Sequence, residues 1–229
     1  MKKYILILSI LIGFLLNNVH GQIFKAQIIG GINATQVDGD EVYGFHKAGG
    51  NLGLGVMFPI VKNKRLLVSL ETIYNQKGAS EKKSVIDTFS GNYKYRLFLD
   101  YVEAPVMIHY EDKGGWTFGL GFSWGRLVGL KEYENGVRVD SATTTSTVYA
   151  HSDWNFLADL RFRIYKQLKF NFRYAYSIVP IRERYYSKSS AFVTPHWRSQ
   201  YNSMLTFRLI YVINERQTEQ RKPRAQATQ

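Results

Sequence analysis

His151, Ser152 and Asp153 stand together in the run AHSDW, and histidine, hydroxyl and carboxylate are the parts of a base-assisted nucleophile. Neighbouring residues of an extended chain point to opposite faces, however, so this sequence adjacency works against a shared site. The other histidines, His20, His46, His109 and His196, have no metal-ligand spacing. GGNLGLG at 49–55 has the glycines of a nucleotide loop, but no lysine follows at the required place and no helix opens there. The sequence therefore predicts no catalytic, cofactor-binding or metal site, and no enzyme.

A different set of charged residues is organised. Glu71, Glu103, Asp159, Arg161, Arg163, Arg173 and Arg208 each alternate with bulky apolar neighbours, so they share the face opposite the large side chains. Charges are tolerated in an interior only when paired or hydrogen-bonded. These seven are expected to form a salt-bridge network inside a narrow closed sheet. They would hold it shut, with a gated conducting path as the alternative.

The elements that place them are strands. WTFGLGFSWG at 116–125 sets Trp116, Phe118, Leu120, Phe122 and Trp124 on one face and Thr, Gly, Gly, Ser and Gly on the other. A soluble sandwich strand would give its second face charges to meet water; small residues suit a tight interior whose outer face meets lipid. Eight such segments are predicted, over 23–34, 45–60, 65–76, 92–110, 116–128, 152–164, 168–178 and 200–213. Short turns at 61–64, 111–115 and 165–167 alternate with long loops at 35–44, 79–91, 129–151 and 180–199. That alternation describes an all-β, eight-stranded antiparallel up-and-down transmembrane β-barrel, with both ends of the mature chain periplasmic. The aromatic residues Tyr74, Tyr93, Tyr95, Tyr110, Trp116, Trp124, Trp154, Tyr176 and Tyr211 fit interfacial girdles. The threonine run in 129–151 is expected to prolong a hairpin above the membrane.

Lys2 and Lys3, the apolar run 4–16 and the small Gly21 make residues 1–21 a signal peptide. Residues 22–214 are then the barrel, placed in the outer membrane. Aromatic residues make up 15% of the chain and cysteine is absent, so a closed hydrogen-bonded sheet must supply the stability that disulfides would otherwise give. The formal charge of +12 falls to +10 without the two signal lysines. Export and the dispersal of the basic residues argue against nucleic acid and toward lipopolysaccharide phosphates or an acidic protein. Residues 215–229 form a polar tail, expected to be disordered, in which Arg216, Arg221, Lys222 and Arg224 outweigh Glu215 and Glu219. It is a solvated end, a contact for a periplasmic partner, or a contact for acidic lipid or peptidoglycan.

ETIYNQKG at 71–78 and YVEAPVMIHY at 101–110 resemble paired strands of the PorT-like outer-membrane β-barrel family of Bacteroidetes. GGINAT at 30–35 and GFHKAGGNLGLGVMFPI at 44–60 resemble its first hairpin, so the likeness spans roughly 24–213. The resemblance implies an eight-stranded outer-membrane barrel with Glu71 and Glu103 as lumen-facing carboxylates. Some members are accessory components of the type IX secretion and gliding machinery, touching periplasmic ring or translocon proteins. It thus implies an assembly or anchoring role, with secretion-machinery proteins as partners; the alternative is a small channel or surface ligand-binding barrel. The basic tail departs from the family's commonest form and favours docking to something periplasmic.

Overall fold

The computed structural model describes residues 24–40, 42, 44–61, 65–81, 95–186 and 196–213. Residues 1–21, expected to be a signal peptide, and the tail, with Arg216, Arg221, Lys222 and Arg224, lie outside the described residues, as does Tyr93.

The strands are β1 (Lys25–Asp38), β2 (Lys47–Pro59), β3 (Leu66–Ser80), β4 (Tyr95–Glu111), β5 (Trp116–Glu134), β6 (Val137–Arg138), β7 (Ser152–Tyr165), β8 (Leu168–Ser177), β9 (Arg182–Tyr186) and β10 (His196–Val212). Eight of them pair in the order β1-β2-β3-β4-β5-β7-β8-β10, and β1 then pairs with β10. The closing pair is antiparallel from Gln27 opposite Val212 to Asp38 opposite Tyr201. Closure removes both sheet edges, so the spanning backbone has no open flank to leave unsatisfied in hydrocarbon. β6 extends the β5 end as a two-residue hairpin arm, and β9 pairs with the start of β10.

Period-2 alternation sorts the side chains. Ile32 is 66% exposed, Leu52 64% and Leu120 59%, whereas Glu71, Arg161 and Arg208 on the other face are 1% exposed. Trp116 and Trp124 are exposed at the two ends of the apolar run on β5. Eight residues span ~27 Å along a strand, or ~20 Å along the barrel axis at a tilt of ~40°, close to the thickness of a hydrocarbon band. Tyr110 and Tyr211 join Trp116 at the turn end, and Tyr74 and Trp154 join Trp124 toward the loop end; all are exposed. Tyr95 differs from the girdle expectation. It is buried, and its hydroxyl donates to Glu132 Oε1 at 3.2 Å.

The small inner face of β5 makes room for large groups on β4. A Cβ on Gly119 would collide with the His109 ring, and one on Gly125 would stand 3.0 Å from Glu103 Cγ. Pro105 on β4 cannot donate to a ladder. The β3–β4 pairing is interrupted there, between Leu70 opposite Val106 and Ile73 opposite Glu103, and resumes without a change of register.

β5 runs six residues beyond the predicted end at Val128 because a bulge hides its continuation. Tyr101 faces Leu127 but Asp100 faces Gly129, leaving Val128 as the extra residue. The alternation therefore changes phase: Leu127 and Leu130 are both buried, and Arg126 and Lys131 are both exposed. The threonine run adds no strand. Residues 143–147 form turns, with Ser146 Oγ donating to Thr143 O at 2.7 Å.

Candidate functional site

The lumen is filled in three tiers. Nearest the turn end, β3, β7, β8 and β10 each direct charge to one point. Glu71 Oε1 accepts from Arg161 Nη2 at 2.9 Å, while Glu71 Oε2 lies 3.0 Å from Arg173 Nη1 and 3.1 Å from Arg208 Nη1. Asp159 lies opposite Glu71: its Oδ1 accepts from Arg173 Nε at 2.6 Å and its Oδ2 from Arg161 Nη2 at 2.7 Å. Asn171 Oδ1 accepts a hydrogen bond from Arg208 Nε at 2.7 Å, and Ser69 Oγ stands 2.8 Å from His109 Nε2. Three guanidiniums thus share two carboxylates.

The middle tier runs across the whole barrel. Asn33 and Asn51 both donate to Asn75 Oδ1, and Asn75 Nδ2 donates to Glu103 Oε2 at 3.1 Å. Lys77 Nζ is 2.6 Å from Glu103 Oε1 and 2.9 Å from Asp153 Oδ2, and it also donates to Asn155 Oδ1 at 3.0 Å. Asp153 further accepts from Ser177 Oγ at 2.6 Å and Asn202 Nδ2 at 2.8 Å. One cation between two anions reverses the imbalance of the first tier. Lys77, Arg161, Arg173 and Arg208 together balance Glu71, Glu103, Asp153 and Asp159, four charges of each sign.

The third tier is apolar and closes the loop end. Leu97, Leu99 and Tyr101 of β4, Leu127 and Leu130 of β5, Val37 and Ala79 pack with Ala142, Tyr149 and Ile181 from the loops. A polar latch holds those loops down. Arg182 Nη1 donates to Glu132 Oε1 at 2.8 Å and to the Tyr149 hydroxyl at 2.6 Å, and its guanidinium lies 4.6 Å from the Tyr149 ring. Beside it, Arg184 Nη2 donates to Glu134 Oε1 at 2.6 Å.

Of the seven charged residues singled out by alternation, Glu71, Asp159, Arg161, Arg173 and Arg208 meet in the first tier and Glu103 lies in the second. Arg163 stands at the turn end, half-buried and opposite Lys169, where the β7–β8 register shifts. Alternation also puts Asn75, Asn155 and Asn171 on the inner face, where they lie; sequence reasoning missed Lys77 and Asp153, which lie past the predicted ends of their strands' inward sets, and Asn33, Asn51 and Asn202. His151 belongs to no triad here: Asp153 is engaged in the lumen by Lys77, Ser177 and Asn202. No group of three or more potential metal ligands occurs among the described residues.

Outside the membrane band, Asp40 sits buried in the β1–β2 loop. Val42 N donates to its Oδ1 at 2.8 Å. Burial pushes its carboxyl up from 3.8 to about 7, against the favourable backbone bond to Val42. A raised acid pKa means the folded state holds its proton longer than the unfolded state. Asp40 therefore favours folding less and less as pH rises from about 4 to 7, and the loss is complete above that. Thermal midpoints of the wild type should carry this downward component between pH 4.5 and 7.5. Asp40→Asn should remove it; an unchanged slope in that variant would show that other groups govern the pH response.

Several solved outer-membrane proteins are similar to this chain at low identity. The neisserial surface protein NspA is 8% identical, with 83% of this chain and 97% of that chain covered at a TM-score of 0.48. Ail of Yersinia pestis is 12% identical, covering 82% and 98%, TM-score 0.46. OprG of Pseudomonas aeruginosa is 13% identical, covering 83% and 97%, TM-score 0.35. No curated protein matches the chain. The family described as outer membrane protein beta-barrel domain matches residues 21–183, which carry β1 through β8, and the chain belongs to that family.

Proposed function

We propose that this protein is a non-enzymatic, non-conducting scaffold of the outer membrane, acting through what it holds at its rims and not through what it passes. The observation that carries this reading is the double seal: a charge-neutral ionic plug across the lumen and an apolar cap over the loop end. An eight-stranded barrel is only just wide enough for side chains to fill it, and here they do. In planar bilayers the purified protein should give no unitary conductance. Steady single-channel openings in the wild type would favour the channel alternative.

The form of scaffold that the family resemblance implies is an assembly or anchoring component of a type IX secretion machine, with the loops outside the cell and the short turns and basic tail in the periplasm. Crosslinking in the native envelope, followed by extraction in mild detergent, should recover periplasmic ring or translocon proteins. Recovery of the barrel alone, while other envelope complexes survive, would favour the surface-binding alternative. The folded loop end supports that second reading, because β5–β6, β9 and the latch around Arg182 form a built platform.

A further inference from the structure

The bulge at Val128 has a second effect besides burying Leu130. By shifting the phase of β5 it turns Lys131, five residues after Arg126, onto the same outer face. Without the extra residue one of the two would point into the lumen. Arg126 lies opposite Val102, two residues beyond the Trp124–Trp154 pair on the loop side, and Lys131 lies opposite Phe98. Neither side chain forms an ion pair among the described residues. On the same wall Arg96 lies 5.1 Å from the Phe98 ring, and that ring meets Tyr133 edge-on at 6.2 Å. Asp100 is the carboxylate between them.

We propose that this wall of β4 and β5 binds a phosphorylated glycolipid headgroup of the outer leaflet, with Arg126 and Lys131 each taking a phosphate. The inference rests on the reading that the loop end faces outward. Exposed cations just past an aromatic girdle stand at headgroup depth, where anionic lipid attracts them. Four residues of β4 separate the two positions, ~13 Å along the strand, which suits a headgroup with two separated phosphates better than a single phosphodiester. The stacked Arg96 and Phe98 give the sugar rings a rigid neighbour.

The test uses the full chain in mild detergent with bis-phosphorylated, hexa-acylated lipid A as the probe, and counts retained lipid by native mass spectrometry. The wild type should retain it. Arg126→Gln with Lys131→Gln should lower retention roughly tenfold or more, given the usual attraction per cation, while Arg126→Lys with Lys131→Arg should keep it. Equal retention by the folded Gln variant overturns the proposal. So does displacement by millimolar inorganic phosphate, which would mark a free-anion site. Labelling of Thr145→Cys on intact cells tests orientation separately. No labelling overturns the outward loop end beneath the inference, whereas labelling without lipid retention overturns only the headgroup site.

Discussion

Glu71→Leu should destabilise the barrel by about 3–5 kcal/mol, the usual cost of breaking a buried ion pair from one side. Glu71 is within 3.1 Å of guanidinium nitrogens from Arg161, Arg173 and Arg208, and all four side chains are buried. Its removal leaves three buried cations to Asp159 alone. The measurement is urea unfolding of the full chain in lipid vesicles, followed by the mobility of the folded band. Glu71→Leu with Arg208→Leu deletes one charge of each sign and should recover much of the loss. If the double variant falls by the sum of the two single ones, the cluster is not the coupled unit its geometry describes.

Lys77→Met is expected to cost a similar ~3–5 kcal/mol. Lys77 is the single cation of the middle tier and touches Glu103, Asp153 and Asn155. Asp153 would keep Ser177 and Asn202, but Glu103 would be left with Asn75. Adding Glu103→Gln to Lys77→Met should therefore restore more stability than adding Asp153→Asn. The reverse order would mean that Asp153 is the carboxylate left in the greater need. A loss below ~1 kcal/mol for Lys77→Met would place the tier in contact with water and weaken the case for a sealed lumen.

The lipid face was the most legible part of the chain, since each spanning strand must show large apolar groups at every second position. The alternating short and long connections then gave strand order and handed the charges to the inner face. What failed was reading past the ends of that pattern. Lys77 lies one residue beyond the predicted end of its strand, and Asp153 looked like a rim residue beside His151. Asn75, Asn155 and Asn171 were legible as inward from the alternation, whereas Asn33, Asn51 and Asn202 escaped because an inward Asn and a loop Asn read alike. The cap was invisible for a more physical reason. Leu97, Leu99 and Tyr101 obey the same alternation as the lipid face but point the other way, and only the folded loops with Ala142, Tyr149 and Ile181 give them cover. The bulge at Val128 removed the period itself, so the strand ended on paper where it continues in space.

The ionic plug joins β3 to β10 through Glu71 and Arg208, 137 residues apart. Neither those two strands nor β7 and β8 can enter hydrocarbon singly without carrying a bare charge. Neutrality arrives only when the sheet curls round and β3 faces β7, β8 and β10 across the lumen. A half-inserted stage would therefore hold those charges unpaired in hydrocarbon, at a cost the closed barrel avoids. Its passage into the bilayer must be a late and collective event, with closure and burial of charge taking place as one step.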